Sequence, residues 1–204
     1  MVGLALYERG DPTKAELFFR AAATTGDSDA MHNLGLLLDE RGHLEEAERW
    51  YRASADTDHA AAMNDLANLL TARGDLVEAE RWYRAAADTG HTIAMNNLAN
   101  LLAERRDVME AEWLYRAAVA SGEANAMYNL GVLQDQRGDP VEAERLYLAA
   151  ADTGDADAMV NLGSLLQDRG DLEEAERWYR AAADTGHAGA MRNLEVLLRG
   201  RGSP

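Results

Sequence analysis

The pattern Ala-Met-x-(Asn/Asp)-Leu recurs with its methionine at Met31, Met63, Met95, Met127, Met159 and Met191, always 32 residues apart. Self-similarity at a fixed period of a few tens of residues means that each repeat is one supersecondary unit. Such a unit cannot bury its apolar face alone and has to stack on its neighbours. Five full units run 28–59, 60–91, 92–123, 124–155 and 156–187, preceded by a partial unit at 1–27 and followed by a terminal capping piece at 188–204. The array therefore occupies the whole chain, read as a single domain over 1–204.

Each unit reads as two helices. Met63, Leu66, Ala67 and Leu70 fall at i, i+3, i+4 and i+7, one face of a first helix. Arg73-Gly74 ends it, because glycine accepts the left-handed backbone that follows a helix C-terminus. Asp75 is then expected as the N-cap of a second helix, with Glu78 completing a capping box. That helix buries Leu76, Ala79, Trp82, Tyr83, Ala86 and Ala87 until Asp88-Thr89-Gly90 stops it. Pro12 and Pro140 take the first helical position in their units, where the missing N–H costs nothing. Arg106 stands where Gly42, Gly74, Gly138 and Gly170 stand, so either it accepts a positive φ or its turn is built differently.

Asn-Leu-(Gly/Ala)-x-Leu followed by Arg-Gly-Asp-x-x-Glu-Ala-Glu resembles the tetratricopeptide repeat. The likeness includes that family's small residue (Gly35, Ala67, Ala99, Gly131, Gly163) and its second-helix alanine (Ala47, Ala79, Ala111, Ala143, Ala175). The stretch from Trp82 to His91, with Ala94-Met95-Asn96-Asn97-Leu98 after it, is similar to the Sel-one-like repeat. The unit is shorter than the roughly 34 residues of the tetratricopeptide repeat, and it lacks that family's inter-repeat proline and the long glycine-rich turn of most Sel-one-like repeats. The resemblance implies an all-α fold, a right-handed α-solenoid (superhelix) of helix-turn-helix repeats, whose first helices line a concave groove that holds an extended segment of a partner protein.

Composition narrows the partners. The chain carries 20 Lys and Arg against 36 Asp and Glu, a net charge of −16, which repels phosphate backbones and anionic lipid heads and argues against nucleic acid. No apolar run nears the roughly 18 residues of a membrane span, and no secretory leader is evident. Absence of cysteine excludes disulfides, thiolate metal sites and cysteine nucleophiles and fits a cytoplasmic location. No phosphate-cradling loop, nucleophile elbow or His-Glu-x-x-His pattern occurs, so the reading is non-enzymatic, without catalytic residues, metal or cofactor. Clustered carboxylates such as Asp39, Asp135 and Asp168 are the remaining enzymatic alternative.

With methionine, leucine and the small residue turned into the packing, three columns are left to face the groove. They are Asn33, Asp65, Asn97, Asn129, Asn161 and Asn193; His32, Asn64, Asn96, Tyr128, Val160 and Arg192; and Leu36, Asn68, Asn100, Val132, Ser164 and Val196. Asparagine is a mediocre helix former, so its recurrence in mid-helix needs a reason. A carboxamide offers the acceptor and donors that a peptide backbone requires, and a comparable ladder in some tetratricopeptide proteins grips peptide. Equally, the amides could bond across to neighbouring helices and brace the stack. Doubling of the ladder in the second and third units places the best peptide site at Asn33, Asn64, Asn68, Asn96, Asn97, Asn100, Tyr128, Asn129 and Asn161.

The groove columns hold no basic residue before Arg192, so acidic C-terminal tails are poor ligands. Asp29, Asp39, Glu40, Asp65, Glu104, Asp135, Asp157 and Asp168 favour a neutral or basic segment. His59, His91 and His187 read as turn residues, and Glu48/Arg52, Glu80/Arg84 and Glu176/Arg180 as i,i+4 surface pairs. Trp113 falls one place before its column, where arginine is usual, and is either a partner anchor or a side chain folded back on its helix. Two features distinguish the ends. Met1 aligns with Asn33, so the first helix lacks its first turn, and Glu195, Gly200, Gly202 and Pro204 suit a capping end. A structural array that self-associates through that uncapped helix, or spaces the domains of a larger regulator, is the alternative function.

Overall fold

A computed structural model describes residues 2–202; Met1 and Pro204, used in aligning the two ends, lie outside them. Thirteen helices and no strand occur among the described residues. The chain divides into two compact units, residues 1–105 and 106–204. The first holds α1 (Val2–Glu8), α2 (Pro12–Ala23), α3 (Ser28–Glu40), α4 (Leu44–Ala55), α5 (Ala60–Arg73), α6 (Leu76–Asp88) and α7 (Thr92–Glu104). The second holds α8 (Val108–Ala120), α9 (Ala124–Gln136), α10 (Pro140–Ala151), α11 (Ala156–Arg169), α12 (Leu172–Asp184) and α13 (Ala188–Gly202). Within each unit, helices consecutive in the chain pack on one another.

The apolar periodicity explains the packing. On α5, Ala62, Met63, Leu66, Ala67 and Leu70 are buried, and they face a partner stripe of Ala79, Tyr83, Ala86 and Ala87 on α6. In the second unit Tyr147, Leu162, Leu166, Tyr179 and Leu197 form one core with five alanines. The small-residue column exists because the tyrosine ring of the second helix lies on the backbone of the first. A Cβ added at Gly35 would stand 2.6 Å from Tyr51 Cδ1, and one at Gly163 would stand 2.7 Å from Tyr179 Cε1.

Turn chemistry departs from the expected capping box. Asp75, Asp107 and Asp171 are N-caps, yet none makes a side-chain cap bond. Asp75 accepts instead from Arg73 Nε, and Asp171 from Arg169 Nε at 2.5 Å. Where proline follows, the cap is made: Asp11 accepts from the Lys14 N–H at 3.2 Å and Asp139 from the Glu142 N–H at 3.1 Å. Proline pushes its predecessor toward extended backbone. Accordingly φ is −112° at Asp11 and −106° at Asp139, against −82° at Asp75. Arg106 does adopt a positive φ of 66°, and Asp58, in a column of glycines, adopts one of 63°. At the far end α13 runs through Gly200 to Gly202, so these glycines extend the helix that sequence would have ended before them.

The turns between repeats carry a second set of caps, with His59, His91 and His187 playing the part of Asp27 and Asp155. The Ala62 N–H donates to His59 Nδ1 at 3.1 Å and the Ala190 N–H to His187 Nδ1 at 3.0 Å. Accepting at Nδ1 leaves the proton on Nε2, which meets Asp29 Oδ1 at 3.0 Å from His59 and Asp157 Oδ1 at 2.9 Å from His187.

The glutamate–arginine pairs reach further than i,i+4. Arg52 bonds Glu48 on its own helix and, at 2.5 Å, Glu78 of the next repeat. Arg20 does the same with Glu16 and Glu46. Each such glutamate also accepts from an arginine 25 residues on, as in Arg41–Glu16, Arg73–Glu48, Arg105–Glu80, Arg137–Glu112, Arg169–Glu144 and Arg201–Glu176. Burial pushes the Glu48 carboxyl up, but Arg52 and Arg73 together hold it below the usual range. These side chains clip successive repeats together.

Candidate functional site

The amide columns lie on the first helices of the repeats, and in the first unit the structure joins His32, Asn64, Asp65, Asn68 and Asn97 into one network. Asn97 Nδ2 on α7 donates to Asn64 Oδ1 at 3.0 Å and to Asn68 Oδ1 at 3.3 Å, both on α5. Asn68 Oδ1 also accepts the Tyr83 hydroxyl at 2.7 Å. Asp65 Oδ1 accepts from Asn64 Nδ2 at 3.1 Å and Asn68 Nδ2 at 3.4 Å, while its Oδ2 meets His32 Nε2 of α3 at 2.7 Å. The His32 ring is tilted against Tyr51 and His59, with centroids 6.0 and 4.9 Å away. Burial pushes the Tyr83 hydroxyl above its ordinary pKa, which keeps it a neutral donor to Asn68.

Positions within this network differ from the sequence reading in one respect. Asn64 and Asn96 are only 5% exposed, so they are inner members of the ladder and not groove-facing ones. Position 64 borders the Ala67 edge of the apolar stripe, and α7 packs beside it. Asn68 is exposed, and Asn33, Asn97 and Asn100 are half-buried. Asn33 Nδ2 turns back to the Asp29 carbonyl of its own helix at 2.7 Å. Bracing between helices is therefore one role of Asn97, and no described group donates to its Oδ1.

The second unit holds Tyr128, Asn129 and Asn161, all half-buried. The Tyr128 and Tyr147 rings are tilted with centroids 6.1 Å apart. Burial raises both phenols above their ordinary pKa. One repeat further on, the Tyr179 hydroxyl donates to Gln167 Oε1 at 3.2 Å and lies 3.1 Å from Ser164 Oγ. The buried tyrosine thus reaches past the core to pin a polar side chain of its first helix. The sequence reading placed the tyrosine of this second-helix column, as at Tyr83, in the core alone and missed its hydroxyl. The period contained the signal, since residues 15 apart recur as Tyr/Asn and Tyr/Ser pairs.

Asp39 receives the Tyr51 hydroxyl at 3.4 Å, and Asp135 and Asp168 are exposed in the second unit. No group of three or more His, Asp or Glu among the described residues is placed to hold a metal ion. Trp113 is 67% exposed while Leu114, at 4%, fills the core position.

Helical hairpins with close-packed small residues and polar first-helix columns define a solenoid repeat protein. Tetratricopeptide repeat profiles match residues 28–57, 59–91 and 156–186, and a further one matches 96–157, while a Sel1 repeat profile matches 1–27. The chain belongs to the tetratricopeptide and Sel1 (Sel-one-like) repeat superfamily. No curated protein matches it in sequence. Among solved structures it is similar to a Sel1 repeat protein from Oxalobacter formigenes, with 27% identity and a TM-score of 0.82 over 95% of this chain and 85% of that one. It is also similar to c5321, a protective antigen of uropathogenic Escherichia coli strains displaying an SLR fold, with 27% identity and a TM-score of 0.81, spanning 96% of this chain and 48% of that one. YrrB, described as a TPR protein with an unusual peptide-binding site, shares the fold at 23% identity and a TM-score of 0.61 over 87% of this chain and 97% of that one. Among the described residues no helix is long and apolar enough to cross a membrane.

Proposed function

We propose that the chain is a protein–protein interaction scaffold that holds an extended, neutral or basic segment of a partner along the face of its first helices. Proteins of this repeat superfamily generally act as such scaffolds, and YrrB is described as having a peptide-binding site. The observation that carries the reading is the fixed amide row. Asn97 is held by two side-chain oxygens on α5, the first helix of the preceding repeat, so its Oδ1 is already oriented for a peptide N–H and little side-chain freedom is lost on binding. Nothing in the site supports catalysis.

Selection of peptides from a displayed library, followed by titration of the winner into 15N-labelled protein, tests the reading. Side-chain amide signals of Asn33, Asn68 and Asn97 should move, and those of the second helices should not. A selected peptide that shifts only second-helix residues overturns the proposal. The exposed Val2 and Leu4 on α1, 61% and 42% accessible, support the second reading, self-association through the first helix. Sedimentation over a concentration range decides it: a monomer at every concentration removes it.

A further inference from the structure

A hollow of about 900 Å³ lies within the first unit, between the α3–α4 turn and the last turns of α5. Leu44, Leu69 and Ala72 supply its apolar surface, and Asp39 and Glu45 stand on its rim. Two departures from the repeat pattern coincide here. Ala72 takes a position filled by Glu40, Glu104, Gln136 and Asp168 elsewhere, and His43 replaces the aspartate of Asp11, Asp75, Asp107, Asp139 and Asp171. At the next turn, where Glu104 takes the place of Ala72, Gly74, Asp75, Leu76, Val77, Glu78 and Arg81 line a smaller hollow of about 560 Å³ with no residue from the following helix. Truncation of one acidic side chain to a methyl group thus exposes the leucines behind it.

The lining is acidic on balance, with Asp39, Glu45, Glu46 and Glu48 against Arg49 and Arg73. Of these carboxylates, Glu46 is already engaged by Arg20 at 2.7 Å and Glu48 by Arg73 at 2.6 Å. Among the described residues the Asp39 carboxylate meets only the neutral Tyr51 hydroxyl, at 3.4 Å, and Glu45 has no ion-pair partner. We propose that this hollow seats an apolar side chain of the partner segment whose neighbour in sequence is Lys or Arg, the cation lying against Asp39 and Glu45. This assignment rests on the scaffold reading above and adds the chemistry of one residue pair to it. Asn68 lines the same hollow, so the amide row and the hollow meet along one continuous surface.

The test uses the full chain with 13C-labelled leucine methyls and 15N-labelled side-chain amides. It is titrated with acetyl-Gly-Ser-Leu-Arg-Ser-Gly-amide and with the same peptide carrying Glu in place of Arg. The arginine peptide should move the Leu44 and Leu69 methyls saturably, and the glutamate peptide should bind at least tenfold more weakly. Ala72→Glu, which restores an acid that other repeats carry at this exposed position, should weaken the arginine peptide at least tenfold with an unchanged thermal melt, and Glu45→Lys should reverse the preference. Unmoved leucines, equal affinity for both peptides, or undiminished binding by Ala72→Glu overturns the proposal. Movement of the Asn33 and Asn97 amides alone overturns the hollow while sparing the scaffold reading. Movement of Leu44 and Leu69 that persists in Asn97→Ala with the asparagine amides still keeps the hollow and removes the amide row.

Discussion

Arg73, on the last turn of one repeat's first helix, closes at 2.6 Å on Glu48 of the repeat before it. Glu48 is the meeting point of that arginine and Arg52, and its side chain is only 16% exposed. Isolated surface ion pairs contribute little, but a carboxylate shared by two arginines in a partly desolvated seat belongs to a network. Glu48→Ala should therefore cost about 1 to 2 kcal/mol in urea denaturation, more than the few tenths of a surface pair. A loss indistinguishable from that of Glu45→Ala would contradict the network.

The same ladder predicts a gain. Leu148 occupies the column of Arg20, Arg52, Arg84, Arg116 and Arg180 and is 42% exposed. Leu148→Arg places a guanidinium one turn from Glu144 and in the register that joins Arg116 to Glu142 elsewhere. A rise of about 0.5 kcal/mol is expected, read as an upward shift of the denaturation midpoint that disappears in molar salt.

Acid should weaken the stack through these carboxylates. Their charged forms are favoured in the folded chain: arginine hydrogen bonds hold Glu16 and Glu78 below the ordinary range, and at Glu80 and Glu112 such bonds outweigh the upward push of burial. Their stabilisation is present above the unfolded glutamate pKa of about 4.3 and is lost as pH falls through the lower folded values. Thermal melts between neutral pH and about pH 3 should show Tm dropping below about pH 4.5. A variant with Glu48, Glu80 and Glu112 all changed to Gln should start lower and fall less steeply, and parallel curves would refute the assignment.

Asn97→Ala strips a donor from buried Asn64 and from Asn68. A cost of about 1 to 2 kcal/mol is expected. Asn33→Ala, which loses only a bond to its own helix, should stay within about 0.5 kcal/mol. Equal effects in chemical denaturation would mean that the bridge between α5 and α7 adds nothing.

His59→Ala removes the acceptor for the Ala62 N–H and should cost about 1 kcal/mol, as for other lost N-caps. His59→Asn, which keeps a side-chain acceptor where Asp27 and Asp155 use one, should recover most of it. Failure of asparagine to recover stability would place the role of His59 in its contact with Asp29 instead.

Much of the fold was legible because the period itself is a physical constraint. Once Met63, Leu66 and Leu70 define a buried stripe, the same positions in every repeat follow, and Gly35, Gly131 and Gly163 mark where a tyrosine ring crosses the backbone. The candidate site was legible only in outline. The amide columns could be written down, but a helical projection places Asn64 at the edge of the apolar stripe and cannot say that α7 covers it. The pairing of His32 with Asp65 depends on residues 33 apart meeting across two helices, which local patterning does not weigh. The missing cap at Asp75 is a matter of backbone angle, φ −82° there against −112° at Asp11 and −106° at Asp139, which the capping-box pattern does not weigh.

Tyrosine rings pressed onto glycine backbones have a consequence for recognition. Within each hairpin, Tyr51 against Gly35 and Tyr179 against Gly163 leave no slack for one helix to roll on the other. In the proposed scaffold each such hairpin is therefore set before a partner segment arrives, and the conformational entropy lost on association falls on that segment. A ligand stiffened by proline outside its contact residues should bind more tightly through a slower off-rate, whereas further stiffening of the receptor should change nothing.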